Sequence, residues 1–276
     1  MRPIGIPANI TIHNQTNTAL QERIEEVRKG FQHLLKGEPE VSVVIPAYNE
    51  EASILKTLSS LSQSITQRSV EVIVVNNNSK DNTATVVTSA GAICILETKQ
   101  GITPARNGGL AAAKGKYILN ADADAIYPPH WIEEMVKPLD DANTACVYGR
   151  FSFIPTADTP RLIYFFYEHL GDLLRWYNKK FKEEAVNVYG FNSGFKRVQG
   201  LDVEGFNHPP GANEDGYLGL KLRDKGYGKL HYVTKINALA WTSDRRIQSD
   251  GGLWKGFIKR ISRIVNKKPT TRTDLG

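Results

Sequence analysis

Sulfur is scarce in this chain of 276 residues: two cysteines and two methionines. Cys94 and Cys146 sit inside apolar, strand-like runs, AICIL and ACVYG. They read as small core residues of a reducing compartment, not as a disulfide or a metal site. No apolar stretch is long enough to span a bilayer. The first residues, MRPIGIPANITIHNQTN, lack the charged-then-apolar layout of a secretory leader, so the expected location is cytoplasmic. Aromatic residues are not interleaved with basic ones along a strand, which argues against a nucleic-acid partner despite a net charge of +6. That charge suits phosphorylated small molecules or a membrane surface equally well. With 41% hydrophobic and 23% charged residues, the chain can bury one sizeable core or two modest ones.

Periodicity supplies the organisation. Residues 1–18 read as a poorly ordered arm, followed by a helix from about Ala19 to Leu35 with Leu20, Ile24, Val27, Phe31 and Leu34–Leu35 on one stripe. VSVVIPAY (41–48) is a β-branched run that predicts a buried strand, and Glu50–Gln63 a helix. VEVIVVNNNS (70–79) predicts a second strand, DNTATVVTSAG a helix, AICILET a third strand, GITPARNGGLAAAKG a helix and KYILNAD (116–122) a fourth strand. Strand and helix thus alternate four times, the pattern of a mostly parallel, Rossmann-like α/β sheet covered by helices on both faces.

In such sheets ligands bind beyond the carboxyl ends of the strands. Three polar clusters follow directly on predicted strands: Asn49, Asn76–Asn78, and Asp122 with Asp124 in ILNADADAIYPP. Two carboxylates one residue apart repel in a half-buried loop, and a cation there removes the conflict. An isolated Asp-x-Asp is weak evidence, because surface turns also favour Asp. Three clusters on one rim make a binding site the better account.

VSVVIPAYNEE, VEVIVVNNNSKDNT and GITPARNGGLAAAKGKYILNADAD together resemble the nucleotide-binding half of family 2 glycosyltransferases, which have the GT-A fold. Downstream, GFNSGFKRVQGLDVEGFN (190–207) resembles the segment that closes over sugar and acceptor, and NEDGYLGLKLRDKGYG (213–228) resembles the Glu-Asp motif with its helix. The resemblance covers roughly residues 40–246. It implies a nucleotide-sugar-binding half, 40–127, and an acceptor-binding, catalytic half, 128–246, of one domain, preceded by an arm and helix, 1–39. The implied activity is transfer of a sugar, of hexosyl type, from a nucleoside-diphosphate donor to a hydroxyl acceptor, with inversion.

The resemblance also implies roles. Pro46, Tyr48 and Glu50 border the nucleoside. Asn77 stands where the family usually has an Asp that contacts the base, and its amide oxygen still accepts a hydrogen bond. Arg106 approaches the diphosphate, Asp122 lies near the ribose, and Asp124 holds Mg²⁺ or Mn²⁺, with Asp122 as a second ligand. Asn192, Ser193 and Gly194 meet sugar or acceptor. Asp215 is the expected general base and Glu214 its support, although Asn213, Glu214 and Asp215 all suit a helix N-terminus as well.

Many members of the fold supply a late metal ligand, often His. Here His231 lies in a strand-like run and reads as structural; Asp244 is the substitute, while Arg245 and Arg246 beside it suit phosphates equally. The missing His and Asn77 keep a second function open, a non-catalytic sugar-nucleotide or glycan-binding protein. A nucleotidyltransferase would need a basic, Gly-rich loop after the first strand, which PAYNEEASI is not. Finally, residues 247–276 read as a basic amphipathic helix. Trp254, Phe257, Ile258, Ile261, Ile264 and Val265 fall on one face, and cations fill the rest of 253–268. Packing on the domain and peripheral attachment to an anionic membrane at its inner face are equal readings of it.

Overall fold

The computed structural model describes residues 2–14, 19–156 and 159–249. In the arm, α1 (Ala8–Thr11) runs into a 3₁₀ turn, Ile12–Asn14, and α2 (Leu20–Leu34) follows. Then β1 (Val41–Ala47), α3 (Ile54–Ser62), β2 (Val70–Asn76), α4 (Thr83–Ser89), β3 (Ile93–Leu96), α5 (Ile102–Ala112) and β4 (Tyr117–Asn120) alternate as the periodicity predicts. The second half contains β5 (Ala125–Ile126), α6 (Trp131–Val136), β6 (Thr144–Gly149), β7 (Phe151–Ile154), α7 (Arg161–Phe181), β8 (Ser193–Lys196), α8 (Arg197–Asp202), α9 (Glu214–Asp224), β9 (Lys229–Val233), β10 (Ala240–Ser243) and α10 (Arg245–Ser249).

The main sheet has the order β3-β2-β1-β4-β8-β6-β9, parallel except for β8, which runs antiparallel to both neighbours. A second sheet, β5-β10-β7, stands beside it. β1 is apolar along nearly its whole length because both its faces are covered. Val41, Val43, Ile45 and Ala47 point into one core with α2 and α3, while Val44 joins α5 in the other. α5 lies unusually close to the sheet: a Cβ on Gly109 would stand 2.2 Å from Val44 Cγ1. The Gly-Gly pair thus serves helix–sheet contact and brings Arg106 inward.

Three departures from the sequence reading have physical causes. The arm is not loose through 2–14. Arg2 is buried, its Nε 2.7 Å from Asp172, and Ile10 and His13 are buried too, with His13 Nδ1 2.9 Å from Ser59 Oγ. α3 begins at Ile54 rather than Glu50, because Asn49 has φ 54° and the Glu50 carbonyl turns back to accept from the N–H groups of Ser53 and Ile54. On α2 the stripe holds at Ile24, Val27, Phe31 and Leu34, whereas Leu20 is exposed in the first turn and Leu35, past the last turn in extended backbone, is exposed too. The basic segment at 250–276 lies outside the described residues.

Candidate active site

The carboxyl ends of β1, β2 and β4 open onto a cavity of about 370 Å³. Pro46, Tyr48, Glu50, Asn77, Asp122 and Asp124, drawn from three separate segments, line it together. Gln100, Gly101 and Ile102, where the loop after β3 enters α5, complete the wall, as do Ala47, Ala105 and Ala123. No role for the 100–102 loop follows from the sequence pattern, although Gly101, at φ 135°, marks a turn next to the predicted rim.

Asn77 is spent on that loop. Its amide N–H groups donate to the carbonyls of Glu97, at 3.1 Å, and Lys99, at 2.7 Å, and its oxygen accepts from the Gly101 N–H at 2.8 Å. A carboxylate cannot make the first two bonds. Tyr48, by contrast, is 49% exposed and presents its ring to solvent at the cavity edge.

Arg106 does not line the cavity. It is buried beneath it as a bridge: Nη2 donates to Asp122 Oδ1 at 3.2 Å, and Nε lies 3.1 Å from Asp215 Oδ1. That second contact lacks hydrogen-bond alignment, so Nε, Nη1 and the Asp215 oxygen retain unused hydrogen-bonding capacity. Gly190 makes room, since a Cβ there would sit 2.1 Å from Arg106 Nη2 and 2.3 Å from Asp215 Oδ2. Asp215 stands in the first turn of α9, but Asn213 is the cap, accepting from the Gly216 N–H at 2.9 Å. The carboxylate is therefore free of capping duty. Burial pushes it up to about 7; Arg106 opposes the rise, and Glu214 and Asp122 add to it. Glu214, half-buried, adds its negative field to the pair.

Asp124 meets the C-terminal strand of the second sheet. Pairing of β10 with β5 sets Ser243 and Arg245 against it, with Ser243 Oγ and Arg245 Nη2 each 3.2 Å from Oδ2. The same Nη2 lies 2.8 and 3.0 Å from the two Glu50 oxygens. Tyr127 Oη accepts from the Asp122 N–H at 3.0 Å and donates to the Phe191 carbonyl at 2.9 Å, locking the two acidic residues against 190–193.

Other expected residues lie elsewhere. Asp244 is buried and faces away from Asp124; it accepts from the Thr156 N–H at 2.8 Å, from Gln248 Nε2 at 2.9 Å, and from the hydroxyls of Thr156 and Tyr164. Against its burial, those bonds hold its carboxyl below the ordinary range. Both its oxygens are engaged by these protein donors, and it does not line the cavity, which sets it apart from the metal role expected of it. Asn192, Ser193 and Gly194 are inside the fold: the Asn192 amide is consumed by Trp131 and the carbonyls of Arg150 and Ala238, Ser193 accepts from Asn120, and Gly194 packs against Leu119. None of the three lines the cavity. His231 is exposed on the edge strand β9, and the Arg246 side chain lies outside what is described.

The Glycosyl transferase family 2 model matches residues 42–198. An uncharacterised glycosyltransferase of Rickettsia prowazekii is 36% identical over 121 residues, 42% of this chain and 37% of that protein. Glycosyltransferase AglE of Haloferax volcanii is 32% identical over 122 residues, 42% of this chain and 40% of its own length. The match thus takes in less than half of either relative. Among solved structures, the mannosyltransferase PcManGT from Pyrobaculum calidifontis, in complex with GDP-Man and Mn²⁺, superposes with a TM-score of 0.57 at 21% identity, covering 97% of this chain and 79% of that one. That likeness bears on the fold, the mostly parallel, helix-flanked sheet of GT-A type expected from the sequence. With the motif-bearing half matched and the polar rim assembled in one cavity, this chain belongs to the family 2 glycosyltransferases.

Proposed function

We propose that the chain transfers a sugar from a nucleoside-diphosphate donor to a hydroxyl acceptor by a single inverting displacement, with Asp215 as general base. The observation that carries this reading is the buried bridge Asp122–Arg106–Asp215, which couples the cavity floor to a carboxylate held near neutral pH. An acceptor hydroxyl is a poor nucleophile, and a positioned base taking its proton contributes ~10²–10⁴ in rate. A carboxylate with pKa about 7 suits that task, because the proton transfer is close to balanced at working pH.

Residues 40–127 form the donor half. Tyr48 offers a ring face to the base, and Pro46 and the 100–102 loop close its sides. Residues 128–246 supply Asp215 and the acceptor side. Glu50 and Asp124 both face Arg245, so this corner is built to hold positive charge. Among the described residues no group of three or more His, Cys, Asp or Glu could hold a metal ion. A corner of that kind fits Mg²⁺ or Mn²⁺, which Asp124 would hold. When bound, such an ion supplies charge stabilisation for the departing diphosphate. Arg106 keeps Asp122 and Asp215 at fixed separation, and Glu214 maintains the negative field that keeps Asp215 basic.

The test is release of free nucleoside diphosphate from a panel of sugar nucleotides, with Mn²⁺ and with chelator. The proposal expects release from at least one donor and its loss on chelation. Donor binding without any release, across the panel and with acceptors supplied, would make the protein a sugar-nucleotide binder instead.

A further inference from the structure

α7 is turned inside out. Its buried side carries Glu168, Arg175 and Tyr164. Glu168 meets Arg161 at 2.9 Å and Arg2 at 3.6 Å, and Arg175 meets Asp172 at 2.6 Å. Its outward side carries Leu162, Ile163, Phe166, Leu173, Trp176 and Phe181, each 50–65% exposed. These residues recur at helical spacing along 21 residues, so the stripe is ~30 Å long. The polar side is tied to the arm and to β7 through Arg2 and Ser152, so the helix cannot roll to hide its apolar face. Ordinary amphipathic packing, apolar side inward, is therefore not the explanation. A patch of this size on one element marks an interaction surface.

We infer that an anionic lipid surface covers this face. Charge selects the partner. No carboxylate interrupts the outward stripe: the helix's two acids, Glu168 and Asp172, are engaged on the inner side. Lys180 and Lys182 stand exposed at the C-terminal end, where Lys179 pairs with Glu184 at 2.7 Å, and Lys180 Nζ lies 5.3 and 5.4 Å from the ring centres of Trp176 and Phe181. Aromatic rings beside long cations are the composition of a helix lying in the headgroup region, rings in the acyl boundary and ammonium groups over the phosphates. No described helix is long and apolar enough to cross a membrane, so the contact is along the surface. The helix is also joined to the site. Tyr164 donates to Asp244, the residue before Arg245, so the docked face and the Asp124 corner belong to one rigid connection.

The test uses the full chain and vesicles of phosphatidylcholine with or without phosphatidylglycerol. Wild type is expected to sediment with the anionic vesicles and to be released by salt. Phe166→Ser and Leu173→Ser should each lower the partition coefficient by about tenfold. Replacing Lys180 and Lys182 together by Gln should remove the preference for anionic lipid. Phe166 and Leu173 are more than half exposed and the two lysines are exposed, so unfolding temperatures should match wild type. Equal vesicle binding by Phe166→Ser and wild type, including binding carried by another segment such as 253–268, would overturn the inference. So would a wild-type dimer that dissociates on Leu173→Ser while vesicles capture neither form, which would make a second copy the occupant.

Discussion

Asn77 illustrates what a single position says and withholds. The sequence placed it on the rim, and the resemblance implied contact with the base; the structure puts it on the cavity wall with its amide committed to the 97–101 loop. The choice of Asn follows from the partners, since two carbonyl oxygens demand a donor of two N–H bonds. Asn77→Asp should therefore weaken donor binding by setting a carboxylate against those carbonyls, at a cost of about 1–3 kcal/mol in local stability. Donor titration by calorimetry together with thermal unfolding measures both, and an Asp variant with undiminished affinity would return the residue to the base. The same lesson holds at Asn192, Ser193 and Gly194. Their motif was legible, but motifs show that the chain passes near a site, not which way each side chain turns. Local pairing with Trp131, Arg150 and Asn120 decided that.

At the scale of elements, the alternating strands and helices of 41–120 were readable because burial on both faces of a parallel sheet leaves uninterrupted β-branched runs. In the second half the runs at ACVYG and around His231 read as strands, but β5 and β10, of two and four residues, did not, since β5 is set by pairing with β10 and β10 by pairing with both β5 and β7. Their pairing is what sets Ser243 and Arg245 at Asp124, across 119 and 121 positions of sequence. The orientation of α7 follows from its inner partners, which include Arg2 from the arm expected to be poorly ordered. α5 yields a prediction of its own. Gly109→Ala puts a methyl group 2.2 Å from Val44 and must lift the helix, costing about 1–3 kcal/mol as overpacking does. Because Arg106 rides on the same helix, turnover should fall more than the small loss of folded protein explains. Denaturant unfolding beside specific activity separates the two; a destabilised variant of normal specific activity would show that Arg106 tolerates the displacement.

Across the whole molecule, the GT-A sheet brings β1, β2 and β4 to one edge, and the 185–215 region closes over it so that Arg106 and Asp215 are shut away from water. The order of strands beyond β4 was not in the periodicity; it rests on β8 inserting antiparallel between β4 and β6. Seclusion has a cost that pH reveals. Because folding raises the Asp215 carboxyl from the usual carboxylate range to about 7, its contribution to stability is complete below pH ~4 and is lost as pH rises through 7. Catalysis runs the other way, since only the ionised form accepts a proton. The rate should fall about tenfold per pH unit below about 7. The central claim, that Asp215 takes the acceptor's proton, is tested most directly by turnover of Asp215→Asn at saturating donor, with donor affinity measured on the same preparation. The account predicts near-normal donor affinity and a rate lower by ~10² or more. Collapse of donor binding with unchanged turnover of bound donor would contradict it.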